Sequence, residues 1–542
     1  MKIIISISVI SALLICSPSF SQDGNTCRSD SYIALINGEI YLMDENNSKI
    51  SSILIQNNKV VALEPSIEEY KNCVQIIDLN NRVVIPGLID NHIHYIRIAN
   101  RPGYDLRALE TTFNISDVLS VIESKTIKVP KGKMITTIGG IRRTQWDEKR
   151  FPSISELDAV SPDHPIYLSE RGAGPGQTNS LAKNILRGLG VDVKEDGSIS
   201  SGGETAKAYD VLASSLTNED RKRQMKDVSN YALSVGLTTV MDMSGTVPGV
   251  GFIDQTNGYD FFLEMVRNNS HKLRTRIFFP GLDQDEKLVQ LSGYLDNKWP
   301  NYGPDMAKII GIGEWSVGRN LFNQQPLGEV AIEAQRMIAE RGWAYHQHLH
   351  SIEEISAHLD VWEELNKKYN LSEMRWAPGH LSGITPELIN RIKKLGLGIG
   401  LHSQPYHSGS SNGGPPWRTA LESNLVAIGA GTDGARINSL NPWATIYYMV
   451  TGINVSGEKT NANETISRYE AVKLFSSSDQ GWFTKEDGVL GGINVGGFAD
   501  LVVLEKDFFN KDEVQNNQIR NMRSVLTIVN GEIVFSSGEI EL

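Results

Sequence analysis

Two histidines one residue apart, His92 and His94, end the run Val84-Ile85-Pro86-Gly87-Leu88-Ile89-Asp90-Asn91. On a strand, side chains alternate faces with a period of two, so both imidazoles point the same way. At that spacing they can hold one divalent metal ion. The plainer reading is a pair of polar residues at a strand end, and the rest of the chain has to decide between the two. His346, His348 and His350 repeat the alternation and would also share a face. Imidazoles and carboxylates suit zinc and similar ions. Such ions lower the pKa of water and polarise a carbonyl, which is the chemistry of metal-assisted hydrolysis.

The elements that must position these residues are legible in outline. Tyr32 to Leu42 reads as two strands about the Asn37-Gly38 turn, and Ile53 to Leu63 repeats the pattern. Short strands and tight turns predict a small β-sandwich over 22–86, completed by strands within 487–542. Between its halves, over 87–486, apolar strand candidates alternate with helical patterns, as a parallel α/β fold requires. There are more candidates than a minimal barrel needs, so an insertion is expected at about 106–231. The Ser/Gly/Pro-rich loop from Ser408 to Pro416 follows a barrel strand and is placed to border a site.

Composition narrows the function. The chain has 542 residues and a formal net charge of −12, which argues against nucleic acid or an anionic membrane as partner. Lys2, the apolar run from Ile3 to Ile15 and the small-x-small site Ser19-Phe20-Ser21 read as a signal peptide over 1–21, leaving a periplasmic or secreted protein. Ile15 is too bulky before Cys16 for a lipoprotein signal. No later stretch is apolar and long enough for a membrane helix. Of three cysteines, Cys16 leaves with the signal, and Cys27 and Cys73 are compatible with one disulfide.

Several motifs together resemble the amidohydrolase superfamily. Pro86-Gly87-Leu88-Ile89-Asp90-x-His92-x-His94 is similar to its first barrel strand, and Gly431-Thr432-Asp433 to its last-strand aspartate. Gly496-Gly497-Phe498-Ala499-Asp500-Leu501-Val502-Val503-Leu504 resembles its return strand, and Val529-Asn530-Gly531-Glu532 its closing hairpin. Gln177-Thr178-Asn179-Ser180-Leu181-Ala182 points to the amidohydrolase 3 branch. The resemblance implies a distorted TIM (β/α)8 barrel with a discontinuous β-sandwich built from both terminal segments. It implies one or two divalent ions, zinc foremost, held by His92, His94, His348, His380 and Asp433. Lys308, carboxylated, is the family's bridging position, with Glu314 as the rival bridge. His346 and His350 remain alternatives to His348. Asp433 is also the expected catalytic proton shuttle.

Arginines just after strand ends can clamp a carboxylate bidentately, which makes Arg171, Arg319 and Arg436 substrate-binding candidates. Tyr406 and His407, after Ser403-Gln404-Pro405, are similar candidates. The expectation is an exported hydrolase of a non-peptide C–N bond in a small molecule such as an N-acyl amino acid. A lactone or ester hydrolase and a catalytically silent binding protein are the alternatives. Dimerisation is common in the family, so a homodimer stays open.

Overall fold

The computed structural model describes residues 32–70, 72–170, 174–243, 259–408, 414–434 and 438–542. The predicted signal segment, Cys27, Arg171 and Arg436 lie outside them. Eight parallel strands form the central sheet: β1 (Leu88–Ile93), β2 (Leu237–Met243), β3 (Arg274–Phe279), β4 (Ala307–Glu314), β5 (Ala344–Leu349), β6 (Trp376–His380), β7 (Ile399–His402) and β8 (Ile428–Gly431). They pair in chain order. Side chains fill the inside and helices cover the outside, so the strands are buried almost throughout. Ile89, Met241, Phe278, Ile310, Trp482 and Phe483 plug the barrel interior.

A seam between β1 and β8 closes the ring. The Asp433 N–H donates to the His92 carbonyl at 2.8 Å, and the His94 N–H to the Gly434 carbonyl at 3.1 Å. The buried Asp90 carboxylate accepts from the Thr432 N–H at 3.0 Å and the Thr432 hydroxyl at 2.5 Å. Burial lifts the Asp90 pKa to about 7. The seam thus sets the two ends of the chain's site, His92–His94 and Asp433, side by side.

Both termini build a second body. A four-stranded sheet orders Lys59–Leu63, Ile53–Gln56, Tyr32–Ile36 and Val74–Asp78. A six-stranded sheet orders Glu532–Ser536, Ser524–Val529, Leu501–Leu504, Val83–Pro86, Glu39–Tyr41 and Lys49–Ile50. Leu35, Ile53 and Ile77 of the first meet Val84, Leu501 and Ile528 of the second in one apolar core. Asn530 and Gly531 both take positive φ in the closing hairpin, as a tight two-residue turn requires. A side chain at Gly531 would run into the Asn57 carbonyl. The Asn37-Gly38 turn departs from the expected hairpin. Its flanking strands lie in different sheets, and the turn passes the chain from one to the other because the Glu39–Tyr41 strand pairs with Val83–Pro86 instead.

A further layer follows β1. Its five-stranded sheet contains Tyr104–Asp105, Ile135–Ile138, Ile166–Ser169, Gly176–Thr178 and Ser198–Ile199. The Asn179 motif is structural here: its carboxamide oxygen caps the helix Ser180–Gly188 through the Ala182 N–H at 3.0 Å. The helix Asn218–Ser234 then leads directly into β2. Among the described residues, no helix is long and apolar enough to cross a membrane.

Candidate functional site

Glu314, the last residue of β4, is the hub of the C-terminal face of the barrel. Its Oε2 lies 2.7 Å from His348 Nδ1, 3.2 Å from His92 Nε2 and 3.5 Å from His380 Nε2. Its Oε1 lies 3.6 Å from His94 Nε2. Asp433 joins from the end of β8, its Oδ1 3.3 Å from His94 Nε2 and 3.8 Å from His92 Nε2. Five strand ends, those of β1, β4, β5, β6 and β8, therefore meet in one buried cluster, the place a barrel of this topology puts its chemistry.

The expected bridging role of Lys308 is corrected by this geometry. Lys308 opens β4 whereas Glu314 ends it, and six residues of strand span roughly 20 Å. The Lys308 ammonium pairs instead with Glu486 at 2.9 Å and Asp305 at 3.6 Å. A lysine at the start of a barrel strand faces the end opposite the site, whatever its sequence neighbourhood resembles.

Hydrogen bonds fix which imidazole nitrogens are free. His94 Nδ1 lies 2.8 Å from the Met243 carbonyl. A carbonyl only accepts, so Nδ1 carries the proton and Nε2 turns its lone pair toward Glu314 and Asp433. His402 is the reverse case. Its Nδ1 accepts from the His380 backbone N–H at 3.0 Å, so the neutral ring is protonated at Nε2 and has no lone pair to give there. His346 sits alongside, its ring 5.2 Å from His92 and 5.6 Å from His402. Gly379 makes room for this pair, since a Cβ there would collide with both rings.

The electrostatics suit a cation. Burial holds His92 below its ordinary range and His380 well below it, so both rings stay neutral. Burial pushes His350 down to about 4. Glu314 is held well below the carboxylate range: burial opposes ionisation, but the His348 and His94 rings outweigh it. His94 is the exception: burial and Arg97 oppose its charge, but Glu314 and Asp433 outweigh them and shift it upward. Imidazoles around an ionised carboxylate are the donor set of a divalent ion, which would displace that proton. Among the described residues, three groups of three have donor atoms within 4.8 Å of one another: His92, His94 and Glu314; His348, His350 and His380; and His92, His380 and His402. The last is weakened by the His402 Nδ1, already taken by the His380 N–H. Glu314 belongs to the first group and touches the second. Nδ1 of His92 and of His380 has no hydrogen-bond partner among the described residues, although both rings are buried. His380 at φ +72° and Asp433 at φ +52° hold a left-handed backbone that costs energy for residues with a Cβ.

A cavity of about 620 Å³ opens over this centre. His94, Glu314, His348, His350 and Asp433 line it from the barrel, with Trp315 and Arg319 from the segment after β4. The layer after β1 adds Arg142, Arg143, Thr144 and Glu170, none of which the sequence reading singled out. Gln404 lines it but Tyr406 and His407 do not. Tyr406 packs on Tyr447 and Tyr448, and His407 Nε2 accepts from the Ser439 N–H at 3.1 Å. Both belong to the short helix Gln404–Ser408, whose turn buries them away from the cavity. That corrects the expectation of substrate contact for the pair.

The family described as "Amidohydrolase family" matches residues 75–535. An N-substituted formamide deformylase from Arthrobacter pascens is 22% identical, over 92% of this chain and 97% of its own length. Among solved structures, a metal-dependent hydrolase from Pyrococcus furiosus superposes with TM-score 0.58 at 19% identity, covering 88% of this chain and 100% of the other. Atrazine chlorohydrolase TrzN from Arthrobacter aurescens TC1, complexed with zinc, gives TM-score 0.56 at 15% identity, covering 93% and 95%.

Proposed function

The chain belongs to the amidohydrolase family and is a metal-dependent hydrolase of C–N bonds other than peptide bonds; from that premise we propose that it is an exported enzyme that cleaves the amide of a small molecule such as an N-acyl amino acid. The observation that carries the reading is Glu314, one carboxylate within 3.6 Å of four histidines under an open cavity. His92, His94, His348, His380 and Asp433 would hold one or two divalent ions, zinc foremost, with Glu314 as the bridge. An ion held there supplies Lewis acidity, which makes hydroxide available near neutral pH and polarises the scissile carbonyl.

The protein's own groups do the rest. Asp433 lines the cavity beside His94 Nε2. It is placed to take the proton of the attacking water and hand it to the leaving nitrogen, which departs as the amine. His94 is oriented by its bond to Met243, which fixes the nitrogen it presents. The name of the formamide deformylase relative supports amide hydrolysis as the reaction class.

Export rests on the signal-like residues 1–21, and with it a Cys27–Cys73 bridge. Thiol titration of denatured, unreduced periplasmic protein is expected to find no free thiol, and two per chain would rule the bridge out. The enzymatic reading is tested by elemental analysis beside a screen of N-acyl amino acids, N-substituted formamides and lactones. One to two ions per chain are expected, largely lost in His92→Ala. Protein prepared with added zinc or manganese that binds none would end the proposal.

A further inference from the structure

The cavity carries more positive charge than its neighbourhood explains. Four arginines line it: Arg97, Arg142, Arg143 and Arg319. Three carboxylates line it too, and each is already engaged. Glu314 and Asp433 face the histidines. Glu170 accepts from the Arg143 backbone N–H at 2.7 Å, and its Oε1 lies 3.9 Å from Arg143 Nε. Arg142 and Arg319 make no ion pair with any described residue. This happens in a chain whose formal net charge is −12, where scattered acidic groups would readily supply partners.

Both arginines stand on fixed mounts. The Arg142 N–H donates to Gln145 Oε1 at 2.9 Å, and the Gln145 amide donates to the Leu109 and Thr112 carbonyls at 3.1 and 2.9 Å. The preceding turn is held by buried Arg107, which donates to the Gly139 carbonyl at 3.1 Å and to Glu110 at 2.9 Å. Arg319 opens a short helix anchored by buried Phe322, and the preceding Gly318 N–H donates to the Asp283 carbonyl at 2.8 Å. Fixed backbones lower the ordering cost of binding. Guanidinium forks match a carboxylate bidentately and reject cations.

Resting on the amide-hydrolase reading, we infer that the substrate carries a free carboxylate and that Arg142 and Arg319 select it. Arg142 comes from the layer after β1 and Arg319 from the segment after β4, so the anion site is shared between the added layer and the barrel. An N-acyl amino acid satisfies it. A neutral formamide or a lactone meets the metal centre but leaves the two guanidinium groups without a partner.

The test compares matched pairs on zinc-loaded enzyme: N-formyl and N-acetyl amino acids against their primary carboxamides. The wild type is expected to favour the carboxylate at least tenfold in kcat/KM. Arg142→Gln and Arg319→Gln are each expected to shrink that ratio at least fivefold, mainly through KM for the carboxylate, at unaltered zinc content. A wild-type ratio within twofold of one overturns the inference, and so does a ratio that both variants leave in place. A second arm needs no turnover. N-acetyl amino acids should raise the Tm of zinc-loaded wild type more than their carboxamides do, and lose that advantage in both variants. Equal shifts for the two ligands would overturn the anion site. The amide-hydrolase reading fails separately, when zinc-loaded enzyme turns over no C–N substrate of either charge.

Discussion

Glu314 and Lys308 share one strand, and a single pair of variants separates their roles. Glu314→Gln removes the charge at the hub while nearly keeping its shape, so bound metal is expected to fall well below one ion per chain. Lys308→Met removes an ammonium at the far end of β4, and metal content should stay at the wild-type level. A loss of metal in Lys308→Met would restore lysine as the bridge. Asp433→Asn tests the proton step at the same scale. Asn keeps a coordinating oxygen but is no base near neutral pH. The variant should retain much of its metal and lose rate by roughly 10²–10⁴, the usual contribution of general acid–base catalysis. Turnover and metal must be read on one sample, since normal turnover at full occupancy would pass the shuttle to another group. His92 and His94 were legible because period two alone aims them together. Lys308 was misread because a motif match says nothing of which strand end a residue occupies, whereas the barrel rule does. His402 carries the same kind of lesson. Its place at a strand end suggests a ligand, but the backbone N–H of His380 occupies its Nδ1.

At the scale of elements, one buried glutamate stitches the added layer to the loop that follows Asp433. Glu110 Oε1 accepts from Arg107 at 2.9 Å. Its Oε2 accepts from the Ser439 hydroxyl at 2.6 Å, the Leu440 N–H at 2.9 Å and the Asn441 N–H at 3.3 Å. Burial raises its pKa, but Arg107 and these donors favour the ionised form. Glu110→Gln keeps the size but replaces one accepting oxygen by a donor facing donors. The expected result is a stability loss of about 1–3 kcal/mol, the cost of leaving buried polar groups unsatisfied. Because Arg142 and Asp433 flank this stitch, KM should rise and kcat fall together. Chemical denaturation and steady-state kinetics on the same preparation check both, and unchanged stability would show that the stitch is slack. The sequence signals an insertion through surplus strand candidates, yet not this contact. Glu110 and Ser439 are 329 positions apart, and neither lies in a recognisable motif. The same long-range packing is why Arg142 was not singled out while Arg319, next to a barrel strand, was.

For the whole molecule, the end of the barrel opposite the site is built for stability. Arg276 of β3 is fully buried and forms a paired contact with Glu486, Nε to Oε2 at 2.7 Å and Nη2 to Oε1 at 2.8 Å. Lys308 adds a third contact at 2.9 Å. Burial opposes ionisation of Glu486, but Arg276 and Lys308 outweigh it and bring its pKa from 4.5 down to about 2. The folded-state pKa is depressed, so the stabilisation is fully present above the unfolded value and lost as pH falls through the folded one. The window therefore runs from about pH 4.5 to about pH 2. Across it the linked loss is on the order of 3 kcal/mol for one group shifted this far. Glu486→Gln cannot titrate, so it should be clearly less stable than wild type at pH 7, with the gap narrowing below about pH 4.5. Urea midpoints of the two proteins between pH 7 and pH 3 measure this. A gap of constant width would show that Glu486 titrates alike in both states and that Arg276 and Lys308 do not hold its charge. Lys308→Met should narrow the same gap in part while leaving the metal centre intact, which ties the correction of that residue's role to a second, independent observable.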